Sequence, residues 1–183
     1  YIDGKKIDHQ NALQVPHRYV LSSLTPGKHL LSLRVDNRMH IDIGSSAHSV
    51  SDHTQTNWNG VIGGINMQAL PSLAIDNIQI YPDIKGKKAD IKIYLDGQPN
   101  NSRLALNVIF DGKTILKKEV RVKPNAKNCV EETIEWEDSV KLWSEFTPNV
   151  YSLRAVLSSQ DGNSEKEISF GFRDFGVNGT HFA

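Results

Sequence analysis

Residues 90–122 read DIKIYLDGQPNNSRLALNVIFDGKTILKKEVRV. Ile91, Ile93 and Leu95 alternate with Asp90, Lys92 and Tyr94, and Leu104, Leu106, Val108 and Phe110 repeat that spacing after a polar break. A period of two sends successive side chains to opposite faces of an extended chain, so each run predicts a half-buried strand. Asp111-Gly112 then supplies the residue types that accept positive φ in a tight hairpin, and Leu116, Val120 and Val122 continue the pattern beyond it. Further out, the same alternation recurs at Leu31, Leu33 and Val35, at Tyr151, Leu153, Ala155 and Leu157, and at Ile168, Phe170 and Phe172. Asp3-Gly4, Asp96-Gly97, Asp161-Gly162 and Asn178-Gly179 mark other turns. No comparable stretch carries the 3.6-residue repeat of an amphipathic helix. The chain is therefore expected to be all-β and built of sandwiches.

A domain boundary is expected near YPDIKGKKAD, residues 81–90, because Pro82 has no N–H for a ladder and the lysines around Gly86 read as a solvated connector. Residues 83–175 hold about seven strand candidates, the size of an immunoglobulin-like β-sandwich. Residues 1–82 hold about five or six, fewer than the roughly eight strands of a jelly roll. That segment is expected to be the C-terminal part of a jelly-roll β-sandwich whose other strands lie upstream of Tyr1. Such a partial sandwich predicts exposed strand edges and self-association through them.

The chain has 183 residues, with 21 Lys+Arg against 21 Asp+Glu, and so lacks the basic field that a nucleic-acid partner requires. No apolar run is long enough to span a membrane. Cys129 is the single cysteine, which excludes an intramolecular disulfide and a cysteine-based zinc site, and it is expected to be chemically inert. Glu131, Glu132 and Glu135 cluster in sequence, but neighbours on a strand point to opposite faces and cannot act together on one substrate. His40, His48 and His53 lie among Asp36, Asp42 and Asp52 in no compact ligand motif, so no metal site is expected. A loosely held calcium or sodium ion near Asp36 or Asp42 is the weaker alternative. No cofactor is expected.

Residues 51–64, SDHTQTNWNGVIGG, combine amides and a carboxylate with one large aromatic and three glycines. A pyranose has an apolar face on which a ring stacks and a rim of hydroxyls that amides and carboxylates bind. Asp52, Gln55, Asn57, Trp58 and Asn59 are accordingly the candidate carbohydrate contacts. The alternative is that Trp58 packs into a domain edge while its polar neighbours cap strand ends.

Four ordered segments resemble glycoside hydrolase family 2, which includes β-galactosidases, β-mannosidases and β-glucuronidases. LSSLTPGKHLLSLRVDNR (21–38) and NWNGVIGGINMQALPSLAIDNIQIYPDI (57–84) resemble parts of its sugar-binding jelly roll and the passage out of it. LWSEFTPNVYSLRAVL (142–157) is similar to the last part of its immunoglobulin-like sandwich, and FGFRDFGVNGTHF (170–182) to the strand leading into its catalytic barrel. The chain departs from the family at Gly63 and Gly64, where many members carry an arginine, and at Thr54, where glucuronidase-like members carry an aspartate. The resemblance implies a jelly-roll part at 1–82, the sandwich at 83–175 and, at 176–183, the start of a connection to a (β/α)8 barrel outside this chain. It implies an accessory region without catalytic residues of its own, whose parent hydrolyses β-glycosides by a retaining mechanism, β-galactosides foremost, and is an exported bacterial enzyme, periplasmic or extracellular. Residues 52–59 would help to wall the substrate pocket, so the partners are a carbohydrate and the barrel. The competing reading is a non-enzymatic adhesin or carbohydrate-binding pair of sandwiches. Trp143, Pro148 and Tyr151 are expected to pack as a structural corner, and Arg173, on the face opposite Phe170 and Phe172, to pair with the barrel or the jelly roll.

Overall fold

The computed structural model describes the chain except for residues 13, 14, 22, 23, 37, 39–43, 45–59, 124, 138 and 183. It contains two compact units, Tyr1–Met67 and Gln68–Ala183.

In the second unit, seven strands form two antiparallel sheets: β1 (Ala74–Asp83), β2 (Lys88–Asp96) and β5 (Cys129–Glu135) in one, β3 (Arg103–Phe110), β4 (Lys113–Arg121), β6 (Tyr151–Ser159) and β7 (Gly162–Phe170) in the other. The strand orders are β1-β2-β5 and β4-β3-β6-β7. A short hairpin, β8 (Val177–Asn178) and β9 (His181–Phe182), follows. The alternating runs sit where a sandwich needs them. Ile91, Ile93 and Leu95 from one sheet and Leu104, Leu106, Val108, Leu153, Ala155 and Leu157 from the other share one buried cluster. Full burial of a large aliphatic side chain stabilises by about 1.5–3 kcal/mol, so this double layer dominates the unit's stability.

The margins are closed by polar side chains. A bulge at Asp76 takes its carbonyl out of the β1–β2 ladder, and Lys166 Nζ on β7 donates to it at 2.6 Å. The Ile75 N–H donates to the buried Ser164 hydroxyl at 3.0 Å, and Ser72 bonds to the Asp161 carboxylate. On the opposite margin Lys118 of β4 reaches β5, donating to the Thr133 carbonyl at 2.8 Å and pairing with Glu132 at 2.7 Å.

Asp111 and Gly112 both adopt positive φ, 50° and 70°, which is what the tight β3–β4 turn requires. The segment around Pro82 departs from expectation. Pro82 lies inside β1 opposite Ala89, and the lysine-rich stretch is the β1–β2 turn, with the Gly86 N–H bonded to Asp83 Oδ1 at 2.9 Å. Proline is tolerated because β1 is an edge strand, so one side of its backbone needs no ladder partner.

The first unit is different. Its described residues form isolated bridges: Ile2 with Lys5 across the Asp3-Gly4 turn, and Ile2 with Leu31. The Leu31–Val35 run does not become a buried strand, since Leu33 and Val35 are each 52% exposed. Alternation divides side chains between two faces, but a strand also needs a partner backbone. Among the described residues Tyr1–Asp3 offers one only as far as Ser32, through the Ser32 N–H to the Tyr1 carbonyl at 3.0 Å. No helix among the described residues is long and apolar enough to cross a membrane.

Candidate functional site

The candidate sugar contacts Asp52, Gln55, Asn57, Trp58 and Asn59 lie outside the described residues, as do His40, His48, His53, Asp42 and Thr54. The turn that follows them is described: Gly60 and Gly63 have φ of 94° and 90°, in the left-handed region that favours glycine. Val61, Ile62, Ile65 and Met67 beyond it are exposed.

Asp36, one residue of the weaker cation hypothesis, is committed elsewhere. Arg38 donates to both of its carboxylate oxygens, at 2.6 Å from Nη2 and 2.9 Å from Nε, and Arg34 lies 3.6 Å away. These guanidinium contacts hold its carboxyl far below the usual carboxylate range. The β5 glutamates diverge as the strand period requires: Glu131 lies 3.9 Å from Lys92 within its own sheet, while Glu132 reaches Lys118 of the other. Cys129 is buried, and desolvation followed by the nearby Glu131 charge pushes its thiol pKa up, consistent with an inert residue.

Two of the motifs that carried the resemblance meet in space. Leu142 bridges Phe172 in parallel, and the Trp143 N–H donates to the Phe172 carbonyl at 2.8 Å. Gly171 backs directly onto the indole, since a Cβ there would lie 2.9 Å from Trp143 Cβ. Arg173, the next residue on that face, holds its guanidinium 5.0 Å from the Trp143 ring centroid. Its partner is thus within the sandwich. The hollow beside Trp143, about 370 Å³ and lined also by Val150 and Phe170, therefore has a ring face already occupied by Arg173.

Beneath this surface Tyr151 is buried, its hydroxyl accepting the Lys141 N–H at 2.9 Å. Its ring touches Phe110 at a centroid distance of 4.6 Å, and Phe172 lies 5.5 Å away. Tyr151 thus anchors a crossing strand to upstream backbone, as expected of a corner, while Trp143 and Pro148, expected in the same packing, pair with each other in an isolated bridge. Sequence reasoning assigned no role to Trp136, whose ring packs edge-on at 5.0 Å from Phe172. The signal was available, because Val130, Ile134 and Trp136 keep the period of two, but Glu132 interrupts it.

The sequence profile described as "Glycosyl hydrolases family 2" matches residues 73–173, the whole of the two-sheet sandwich. The chain belongs to this family. Along 187 aligned residues the family 2 chain is 22% identical to a β-galactosidase of Clostridium acetobutylicum, an overlap of 96% of this chain and 19% of that protein. Among solved structures it resembles the Bifidobacterium dentium β-glucuronidase at 21% identity and a TM-score of 0.48, over 62% of this chain and 19% of that one. It also resembles Bacteroides uniformis β-glucuronidase 3 at 24% identity and a TM-score of 0.47, over 58% and 13%. The chain thus spans about a fifth of the curated relative it matches.

Proposed function

We propose that this family 2 chain acts as a non-catalytic accessory region of a longer glycoside hydrolase. In this reading Tyr1–Met67 is part of a jelly roll, residues 52–59 wall one side of the substrate pocket, and the sandwich is a spacer. Residues 176–183 begin the connection to a catalytic domain that supplies the paired carboxylates of a retaining mechanism. The observation that carries it is the placement of the family match: it covers the sandwich from end to end, while the curated β-galactosidase relative is about five times as long as this chain.

The ligand is a β-glycoside, with a β-galactoside the first to test, since the curated relative bears that name and Thr54 replaces the aspartate of glucuronidase-like members. The exposed Leu33 and Val35 favour self-association of the isolated chain.

The test is hydrolysis of aryl β-galactoside, β-mannoside and β-glucuronide by the full-length parent and by the 183-residue chain. Turnover by the parent alone is expected. Turnover by neither would overturn the hydrolase reading, and turnover by the short chain would mean that it holds catalytic groups of its own. For the pocket wall, Asn57→Ala in the parent should lower kcat/KM by about tenfold or more, one hydrogen bond lost from the transition state, at unchanged Tm. Unaltered kinetics would remove residues 52–59 from the pocket.

A further inference from the structure

The first unit holds a histidine whose two ring nitrogens both face acceptors. His29 Nδ1 lies 2.7 Å from Asp3 Oδ2, and Nε2 lies 2.7 Å from the Thr25 carbonyl oxygen. The other Asp3 oxygen accepts the Leu30 N–H at 2.8 Å, and the Asp3 N–H donates to the Leu30 carbonyl at 2.9 Å. An ionised carboxylate and a peptide carbonyl offer lone pairs and no proton, so the ring must donate in both contacts. A neutral imidazole has one N–H and an imidazolium has two. With one N–H, one of the two contacts would set lone pair against lone pair at 2.7 Å. The geometry therefore selects the doubly protonated ring.

The position of the ring gives this choice a mechanical consequence. Asp3 belongs to the tight turn bridged by Ile2 and Lys5, while Thr25 and Leu30 belong to a segment more than twenty residues later. Backbone bonds from Tyr1 and Asp3 join the two pieces near Leu30 and Ser32, but the Thr25 end is reached through His29. We propose that His29 is a proton-operated pin between the Tyr1–Lys5 turn and the Thr25–Leu30 segment, closed with two ring protons and open with one.

Opening transfers one ring proton to solvent, leaves Asp3 ionised, and breaks whichever of the two contacts has lost its donor. Facing the ring from the turn is the Asp3 carboxylate, and from its own segment the Thr25 carbonyl. Lys5, Lys6 and Lys28 on the same segments are exposed, and Asp3 is the charge that acts on the ring. The Asp3 hydrogen bond first, then the Thr25 carbonyl, raise the His29 pKa above 6.5, the ordinary value. His29 and then the Leu30 N–H lower that of Asp3. The contribution of His29 is complete below the ordinary histidine value and is lost as pH rises through its raised value. That of Asp3 is complete above the ordinary carboxylate value and is lost as pH falls through its lowered one. The pin is closed between these limits.

The test is an NMR titration of the 183-residue chain that follows the His29 ring nitrogens and the Leu30 amide exchange rate. Below its titration midpoint the ring should carry protons on both nitrogens, that midpoint should lie above 6.5, and Leu30 exchange should accelerate as pH passes it, beyond the intrinsic base-catalysed rise. Asp3→Asn should return the midpoint to the ordinary value or below and remove that extra acceleration. A wild-type midpoint at or below 6.5, or a lone protonated nitrogen below that midpoint, would overturn the pin. If Asp3→Asn unfolds the unit, the wild-type titration decides alone.

Discussion

The two units of this chain are stabilised in opposite ways. Gln68–Ala183 has long antiparallel ladders enclosing a dry core, with Leu104, Leu106, Val108, Leu153 and Leu157 fully withdrawn from solvent. The described part of Tyr1–Met67 has Ile2 buried, a few backbone bonds and the Asp3–His29 and Asp36–Arg38 contacts, while Leu24, Leu30, Leu31 and Leu33 remain open to solvent. Both contain alternating apolar runs. Among the described residues, what separates them is that the runs of the second unit face a second sheet. Hydrophobic burial scales with area removed from water, and it requires a partner surface.

Substitutions should divide along the same line. The largest effect is expected from Phe172→Ala, because the ring is completely buried against Trp136 and Tyr151. It should cost the sandwich about 3–5 kcal/mol in a denaturant titration, and a loss below ~1 kcal/mol would show that the aromatic corner is not part of the stabilising core. Gly97→Ala comes next. A Cβ there would sit 2.0 Å from the Ser72 carbonyl oxygen, at a φ of +99° that L residues rarely adopt. About 2–3 kcal/mol is expected from forced backbone movement, and an unchanged midpoint would mean that the β2–β3 loop yields freely.

Tyr151→Phe removes one hydroxyl while keeping the ring. It should cost about 0.5–1.5 kcal/mol through the lost Lys141 contact, and thermal melts equal to wild type would reduce the corner to packing alone. The smallest effect belongs to the other unit. Leu33→Ser should change stability by no more than about 0.5 kcal/mol, the range of an open surface site. In the longer glycoside hydrolase proposed above, a much larger loss than in this chain would show that another part of that protein covers the face, and would turn the contrast between units into a property of the chain's context.

Much of the second unit was legible beforehand. The runs at 90–95, 104–110 and 151–157 became β2, β3 and β6 because alternation is a local property that survives into any half-buried sheet. β1 was harder to see. Pro82 and the following lysines carry the composition of a linker, and only the pairing with β2 makes that stretch the end of an edge strand and a turn. β5 was obscured by consecutive glutamates whose charges are met by Lys92 and Lys118, residues distant in sequence. Of the candidate site, the glycine turn after Asn59 was readable from residue type, since Gly60 and Gly63 do adopt positive φ. The sugar-contact candidates themselves lie outside the described residues.

The sequence by itself determined that this protein is all-β, where most of its strands run, which turns take positive φ, and the family to which its ordered motifs belong. These follow from steric preferences and from a side-chain period of two, each expressed within a few residues. The tertiary structure alone decided that Arg173 covers Trp143, that Gly171 must be glycine because an indole backs onto it, that Lys118 closes a margin of the sandwich, and that His29 sits between two acceptors. Each of those joins residues separated by many positions in the chain, and a contact of that kind exists only once the intervening backbone has folded to bring its two sides together.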